Sequence, residues 1–369
     1  MPLVDLIAGA RPNFVKISPI IRAIQQAQTR GSDIRFRLIH TGQHYDKKMS
    51  GGFFEQLGIP DPDFNLECGG GSHAEQTASI MVRYEKVLLE KGLPALTLVV
   101  GDVTSTMACA ITAQKLGVPV AHVEAGIRSG DWSMPEEINR LVTDSISNFF
   151  FTTSEVANAT LRRSGVAEER IFFVGNTMID PLVHNLPRLR PPPCWGELGL
   201  VSANFFVITL HRPANVDAGQ KLKELLDTIA TSTHGLPVIF PVHPRTANVL
   251  RELGGLWPTL HFIDPLGYLE FNYLVRHAKA VITDSGGITE ETTFLKVPCL
   301  TLRDNTERPE TVTMGTNELI GTNPAKIPVY LERLFAGNWK QGSVPPLWDG
   351  GASERIVLEL ERLFKGFAT

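Results

Sequence analysis

Cysteine is scarce in this chain: four residues among 369, Cys68, Cys109, Cys194 and Cys299, each at least forty positions from the next. That spacing excludes a zinc ribbon or a redox Cys-x-x-Cys pair and leaves reduced, structural thiols as the expectation. Long apolar runs are also lacking. None approaches the roughly 18 residues that cross a bilayer, and Asp5 stands where a signal peptide needs an apolar stretch, so a cytoplasmic chain with no membrane partner is expected. Nor is there an excess of positive charge. Thirty-five basic against thirty-nine acidic residues give a formal net charge of -4, which offers no surplus to displace counterions from a nucleic acid. The pattern Gly-x-x-x-x-Gly-Lys-Ser/Thr is missing and Gly9-Ala10-Arg11 does not form a dinucleotide fingerprint, which weighs against ATP hydrolysis and NAD chemistry. His211 and His243 lie in no His-x-x-x-His pair and no acidic stretch has calcium-loop spacing, so a structural metal is not expected. No repeat of 20–50 residues and no low-complexity tract is visible.

What is present is an ordinary globular composition, 43% apolar and 20% charged, in a chain long enough for two domains. Short β-rich runs alternate with amphipathic stretches. Strands are predicted at Leu3–Ile7, Arg35–His40, Leu96–Val100, Val118–Val123, Phe149–Thr152 and Ile171–Val174, several apolar on both faces as buried parallel strands are. Pro12 to Gln28 reads as a helix with Pro near its start, and Ser72-His73-Ala74-Glu75 has capping-box spacing before a helix to about Lys91. The proline-dense stretch Pro187-Arg188-Leu189-Arg190-Pro191-Pro192-Pro193 reads as a linker. Beyond it the alternation resumes, with strands at Phe205–Leu210, Val238–Val242, Leu260–Ile263, Ala280–Thr283 and Cys299–Leu302. The fold class is therefore α/β, two doubly wound domains at residues 1–186 and 187–351. The last helix, 352–369, is expected to pack back on the first domain. Two such domains facing each other would form a cleft at the carboxyl ends of both sheets.

Residues just after the strands carry the chemistry in such folds. Here they include Gly9, Arg11, Lys16, Thr41-Gly42-Gln43-His44, Gly101-Asp102 and Glu124-Ala125-Gly126, then His211-Arg212, His243, Asp284-Ser285-Gly286-Gly287 and the run from Arg303 to Glu310. Ser285, Gly286 and Gly287 open a helix whose first amides are free to cradle a phosphate, although Gly-Gly before a helix is also an ordinary tight turn. Arg11, Lys16, His211 and Arg308 would add the positive charge that a diphosphate requires. The carboxylates Asp102, Glu124, Asp131, Glu136 and Glu137 cluster in the first domain. Glu136 and Glu137 also suit the first turn of a helix after Pro135. Carboxylates beside a diphosphate repel it, so proton transfer or metal binding explains the cluster better than packing does.

The motifs Arg11-Pro12 with Lys16, Thr41-Gly42-Gln43-His44, Gly101-Asp102, His122-Val123-Glu124-Ala125-Gly126 and Pro135-Glu136-Glu137-Ile138-Asn139-Arg140 resemble those of the non-hydrolysing UDP-N-acetylglucosamine 2-epimerases. So do Gly175-Asn176-Thr177, His211-Arg212, Pro241-Val242-His243, Thr283-Asp284-Ser285-Gly286-Gly287 and Thr306-Glu307-Arg308-Pro309-Glu310. The resemblance runs from Gly9 to the Trp348-Asp349-Gly350 region.

It implies two Rossmann-like domains in the GT-B arrangement and an isomerase that interconverts UDP-GlcNAc and UDP-ManNAc. UDP leaves, 2-acetamidoglucal is held, and UDP returns with inversion at carbon 2, without a cofactor. By the same likeness Asp102, Glu124 and Glu136 transfer protons and His211 sits near the departing phosphate oxygen. Arg11, Lys16, Ser285, Gly286, Gly287 and Arg308 hold the diphosphate and sugar, Phe271 and Glu291 take the uridine, and Gln43 and His243 line the substrate. Relatives are usually homodimers, and bacterial ones can use a second UDP-N-acetylglucosamine as activator. Asn13 stands where many relatives have Glu, Thr289 where Gln is common, and Asp46 where Gln is frequent. The alternatives are a hydrolysing 2-epimerase releasing ManNAc and UDP, a GT-B glycosyltransferase using a UDP-sugar, and a catalytically silent nucleotide-sugar binder.

Overall fold

A computed structural model describes residues 1–42, 57–210, 219–242, 249–250, 254–255 and 257–367, with the Arg11 and Phe367 side chains outside that set. Contacts divide the chain into two units, Met1–His184 with Pro346–Thr369, and Asn185–Pro345. The sequence reading placed the linker at Pro187 and the return at Ala352. The chain rejoins the first unit before that helix because the Trp348 indole is buried there and donates to the Thr153 carbonyl at 3.0 Å. Among the described residues no helix is long and apolar enough to cross a membrane.

The first unit holds β1 (Leu3–Ala8), β2 (Arg35–His40), β3 (Phe64–Asn65), β4 (Leu96–Val100), β5 (Val120–Val123), β6 (Phe149–Thr152) and β7 (Ile171–Phe173). They form a parallel sheet in the order β3-β2-β1-β4-β5-β6-β7. The chain runs outward from β1 in one direction and then resumes at β4 in the other, so the carboxyl ends of β1 and β4 form the topological switch point where open α/β sheets bind ligands. The second unit repeats the plan with β8 (Phe206–Thr209), β9 (Val238–Pro241), β10 (Leu260–Ile263), β11 (Ala280–Thr283), β12 (Cys299–Thr301) and β13 (Asn317–Leu319). Its order is β10-β9-β8-β11-β12-β13, and its switch point lies between β8 and β11. β3 and β13, which the sequence did not announce, are edge strands of two and three residues with polar members. Their pairing is dictated by the neighbouring strand, not by an apolar pattern of their own.

Helix starts follow local chemistry. Ser72 accepts from the Glu75 amide and Glu75 accepts from the Ser72 amide, which opens the helix His73–Lys91 as the capping box demands. Pro12 and Pro135 occupy first-turn positions of the helices Arg11–Thr29 and Pro135–Ile146, where a missing N–H costs nothing. Within the first unit, the helix Ala352–Phe367 adds Ile356, Val357 and Leu360 to a core that includes Ile17, Ile21 and Ile24. Asp180 receives the Ala352 and Ser353 amides at 3.2 and 2.7 Å, capping that helix from a distant segment.

Candidate active site

At the switch point of the first unit, Asn13 fastens two turns. Its side-chain oxygen accepts from the Ala10 amide at 3.0 Å, and its Nδ2 donates to the Val100 carbonyl at 2.9 Å. A glutamate at this position would accept but not donate. Val100 is followed by Gly101, whose φ of +71° suits glycine. A side chain at Gly101 would press within 3.3 Å of Lys16 Nζ and 3.8 Å of Glu124 Oε2, so the glycine leaves room for the pair beside it. Lys16 Nζ lies 2.6 Å from Glu124 Oε2, and the Glu124 side chain is only 3% exposed. Glu124 has a φ of +69°, a left-handed conformation costing a non-glycine residue about 1–3 kcal/mol, held by the turn after β5.

Asp102 follows directly. Arg140 Nε and Nη2 both donate to its Oδ2, at 3.1 and 2.5 Å, while Asn139 Nδ2 donates to its carbonyl at 2.8 Å. Among the described residues Asp102 Oδ1 takes no hydrogen bond, and the side chain is 30% exposed. One oxygen is thus fixed and the other available.

Arg140 also reaches Glu137 Oε2 at 2.7 Å. Burial pushes the Glu137 carboxyl up, but the Ser129 and Gly130 amides, the Ser129 hydroxyl and Arg140 outweigh it and hold it below the usual range. Glu137 is therefore committed to the 129–130 turn. Glu136, its neighbour, is half-buried and among the described residues has no hydrogen-bond or ion-pair partner.

Behind these turns lies a layer the sequence reading missed. His122 on β5 is fully buried, with Nδ1 2.7 Å from Asp144 Oδ1 and Nε2 2.8 Å from the Gly101 carbonyl. Asp144 Oδ2 accepts from Arg128 Nη1 at 2.6 Å and from the Gly126 amide at 3.0 Å. Burial raises the Asp144 carboxyl, and His122 and Arg128 bring it below its ordinary value. The Arg140–Glu137 pair could have been found from its three-residue spacing inside a noted motif, but not the reach of Arg140 to Asp102, 38 residues away. Asp144 could not, because its partner is 22 residues away on a strand.

In the second unit, Ser285 precedes the helix Gly286–Leu295, and its amide donates to Thr283 Oγ1 at 2.9 Å. The Ser285 hydroxyl makes no capping bond to the helix. Gly286 faces Arg303: a side chain there would meet Arg303 Nη1 at 3.6 Å and Glu307 Oε2 at 3.8 Å. Arg303, noted in the sequence only as the start of the run after β12 and given no role, binds Glu307 through both terminal nitrogens at 2.9 and 2.6 Å. Arg308 is buried, with Nε 2.5 Å from Oε1 of Glu290 on the Gly286–Leu295 helix. A buried ion pair thus holds its guanidinium. Glu291, also buried, is pushed up to about 7 by desolvation, against the opposing pull of Tyr268 and Asn272. Asn272 Nδ2 sits 3.4 Å from its Oε1. Phe271 is half-buried against the core of this unit.

The structure therefore sets Lys16, Asp102 and Glu124 around the first unit's strand ends, with Glu136 in the first turn of the Pro135–Ile146 helix. In the second unit Ser285, Gly286, Gly287 and Glu291 belong to one helix and its cap, which Glu290 joins to Arg308. Gln43, His211, His243 and the Arg11 side chain lie outside the described residues.

A family model described as UDP-N-acetylglucosamine 2-epimerase matches residues 26–361. The UDP-N-acetylglucosamine 2-epimerase of Methanocaldococcus jannaschii is 42% identical over 366 residues, covering 96% of this chain and 97% of that one. Its crystal structure in complex with UDP-GlcNAc and UDP superposes with a TM-score of 0.84 over 98% of this chain and 99% of that chain. The UDP-2,3-diacetamido-2,3-dideoxy-D-glucuronate 2-epimerase of Pseudomonas aeruginosa is 41% identical over 361 residues, 97% of this chain and 99% of its own. With two parallel α/β sheets and acidic turns at the switch point of the first, this chain belongs to the UDP-N-acetylglucosamine 2-epimerase family.

Proposed function

We propose that the protein is a non-hydrolysing 2-epimerase that interconverts UDP-N-acetylglucosamine and UDP-N-acetylmannosamine. The hydrogen on carbon 2 is not acidic, so it leaves as the bond from carbon 1 to the UDP oxygen breaks and positive charge develops on the ring. A carboxylate takes the proton, UDP departs with the bonding pair, and 2-acetamidoglucal remains. UDP then re-adds at carbon 1 while a proton is delivered to the opposite face of carbon 2. Atoms and electrons balance without oxidant, reductant or cofactor.

The observation that carries this reading is the Asp102 side chain, with Oδ2 clamped by Arg140 and Oδ1 open at the switch point. Asp102, Glu124 and Glu136 are the proton-transfer groups, because acid and base must act on two faces. His211 is assigned to the departing phosphate oxygen. Arg11, Lys16, Ser285, Gly286, Gly287 and Arg308 hold the diphosphate and sugar, Gln43 and His243 complete the substrate contacts, and Phe271 and Glu291 take the uridine. A homodimer working in the cytoplasm, with a second UDP-N-acetylglucosamine as activator, completes the proposal on the strength of the family resemblance.

The Pseudomonas relative acts, by its name, on a uronate, which raises a second sugar class. The Arg128 and Arg140 cations in the first unit are already engaged by Asp144, Asp102 and Glu137, which suits an uncharged hexosamine better than a sugar carboxylate.

A proton NMR time course in heavy water, run with UDP-N-acetylglucosamine and separately with the diacetamido-glucuronate analogue, tests the reading. Epimerised UDP-sugar with deuterium at carbon 2 is the expected product from the first. Free N-acetylmannosamine would establish the hydrolysing alternative, a requirement for an acceptor would establish a transferase, and absence of exchange would leave a binder.

A further inference from the structure

We propose that His122 and Asp144 are positioning residues that hold the turns bearing Asp102 and Glu124 in one fixed relation; the proposal rests on the epimerase reading above. Neither residue touches the open carboxylate oxygen. Their effect passes through the backbone. His122 Nε2 holds the Gly101 carbonyl, one residue before Asp102, and its Nδ1 meets Asp144 Oδ1. Asp144 Oδ2 holds the Gly126 amide, two residues after Glu124. The dyad therefore ties the end of β4 to the end of β5 and both to the Pro135–Ile146 helix, which also carries Glu136, Glu137 and Arg140.

Stability alone gives little reason for this arrangement. Taking a carboxylate and an imidazole out of water is costly, and apolar side chains of similar volume commonly serve a core as well or better. The dyad does what apolar packing cannot: it directs two specific backbone groups. Gly101 at φ +71°, Glu124 at +69° and Gly126 at +78° are three left-handed residues within the two turns, a conformation that surrounding bonds have to impose on Glu124. Gly126 also has no room for a side chain, with the Ala157 carbonyl 2.4 Å from where a Cβ would stand. Proton transfer depends steeply on such placement, since a misplacement of about 1 Å can cost about 10²-fold in rate.

The test uses the full chain with His122→Ala, His122→Asn, His122→Gln and Asp144→Asn. Alanine removes both arms, asparagine retains a donor where Nδ1 meets Asp144, and glutamine retains one where Nε2 meets Gly101. Epimerisation kcat and KM, deuterium entry at carbon 2, UDP affinity and folded fraction are measured for each. The expected result is a fall in kcat per folded molecule of about 10²-fold for alanine, with KM changed by less than about threefold and partial recovery by glutamine. Asp144→Asn should lower kcat in the same manner, because its amide confronts the Arg128 and Gly126 donors. If alanine does not fold, the two amide variants and Asp144→Asn decide. Native kcat per folded molecule in the folded variants overturns the positioning role while leaving the epimerase reading intact. Absence of carbon-2 exchange in the unmodified protein overturns that reading and this proposal together.

Discussion

Lys16 on the first helix and Glu124 at the end of β5 are 108 residues apart in sequence and 2.6 Å apart in space. The pair is nearly closed to water, so removing one partner leaves an uncompensated charge in a medium that solvates it poorly. Lys16→Met should destabilise the first unit by about 3–5 kcal/mol. The double variant Lys16→Met/Glu124→Gln should regain much of that loss. Urea unfolding of the two variants checks this; equal midpoints would show that the pair is not coupled.

Asp102 and Glu124 follow strands of the first unit and Glu136 stands in the first turn of the Pro135–Ile146 helix, and the three differ in their surroundings: Asp102 is held by Arg140, Glu124 by Lys16, and Glu136 by no partner among the described residues. Asp102→Asn, Glu124→Gln and Glu136→Gln should each reduce turnover by about 10²–10⁴-fold. UDP affinity should change little. Steady-state kinetics beside calorimetric UDP titration separates the two quantities, and any variant retaining native turnover drops out of the mechanism.

Arg308 was expected as a phosphate ligand, and the fold shows it joined to buried Glu290. Arg308→Ala should therefore weaken UDP binding and also lower the stability of the second unit. Arg308→Ala/Glu290→Gln should restore stability without restoring affinity. Affinity that returns with stability would reduce Arg308 to a structural role.

Glu291 gives a pH prediction with a definite sign. In the folded chain its carboxyl keeps a proton up to about 7, whereas in the unfolded chain it ionises near about 4.3. Across that interval the unfolded state has released a proton that the folded state retains. Stability contributed at this position is thus complete below the lower value and is lost as pH rises through about 7. Glu291→Gln should flatten the decline. Hydrogen exchange in the Gly286–Leu295 helix between pH 5 and 8, native against variant, measures it; parallel profiles would dismiss the assignment.

Much of the architecture was legible because strand and helix signals are local. Eleven runs of apolar, β-branched residues, the Ser72–Glu75 box and Pro12 report their own conformation. β3 and β13 were not legible, since Asn65, Asn317 and Glu318 carry no strand pattern and pair only because a neighbour offers an edge. In the site, the acidic and glycine-rich turns could be listed from their positions after strands. Arg140 as the clamp on Asp102, Asp144 as the anchor of His122 and Arg303 beneath Gly286 could not. Each is a contact between elements whose meeting depends on how the sheet is ordered.

By itself the sequence determined two α/β units, the turns that carry acidic, basic and glycine residues, and a family likeness carried by motifs of four to six residues, all of which depend on neighbours along the chain. The tertiary structure alone decided which oxygen of Asp102 is fixed and that Lys16 neutralises Glu124, and, among the described residues, that the other Asp102 oxygen is free and that Glu137 serves a turn while Glu136 stays unengaged. Those outcomes turn on distances of about 3 Å between groups from seven to more than a hundred residues apart, and hydrogen bonds and ion pairs are short-ranged enough that only the folded register of strands and helices selects among the partners.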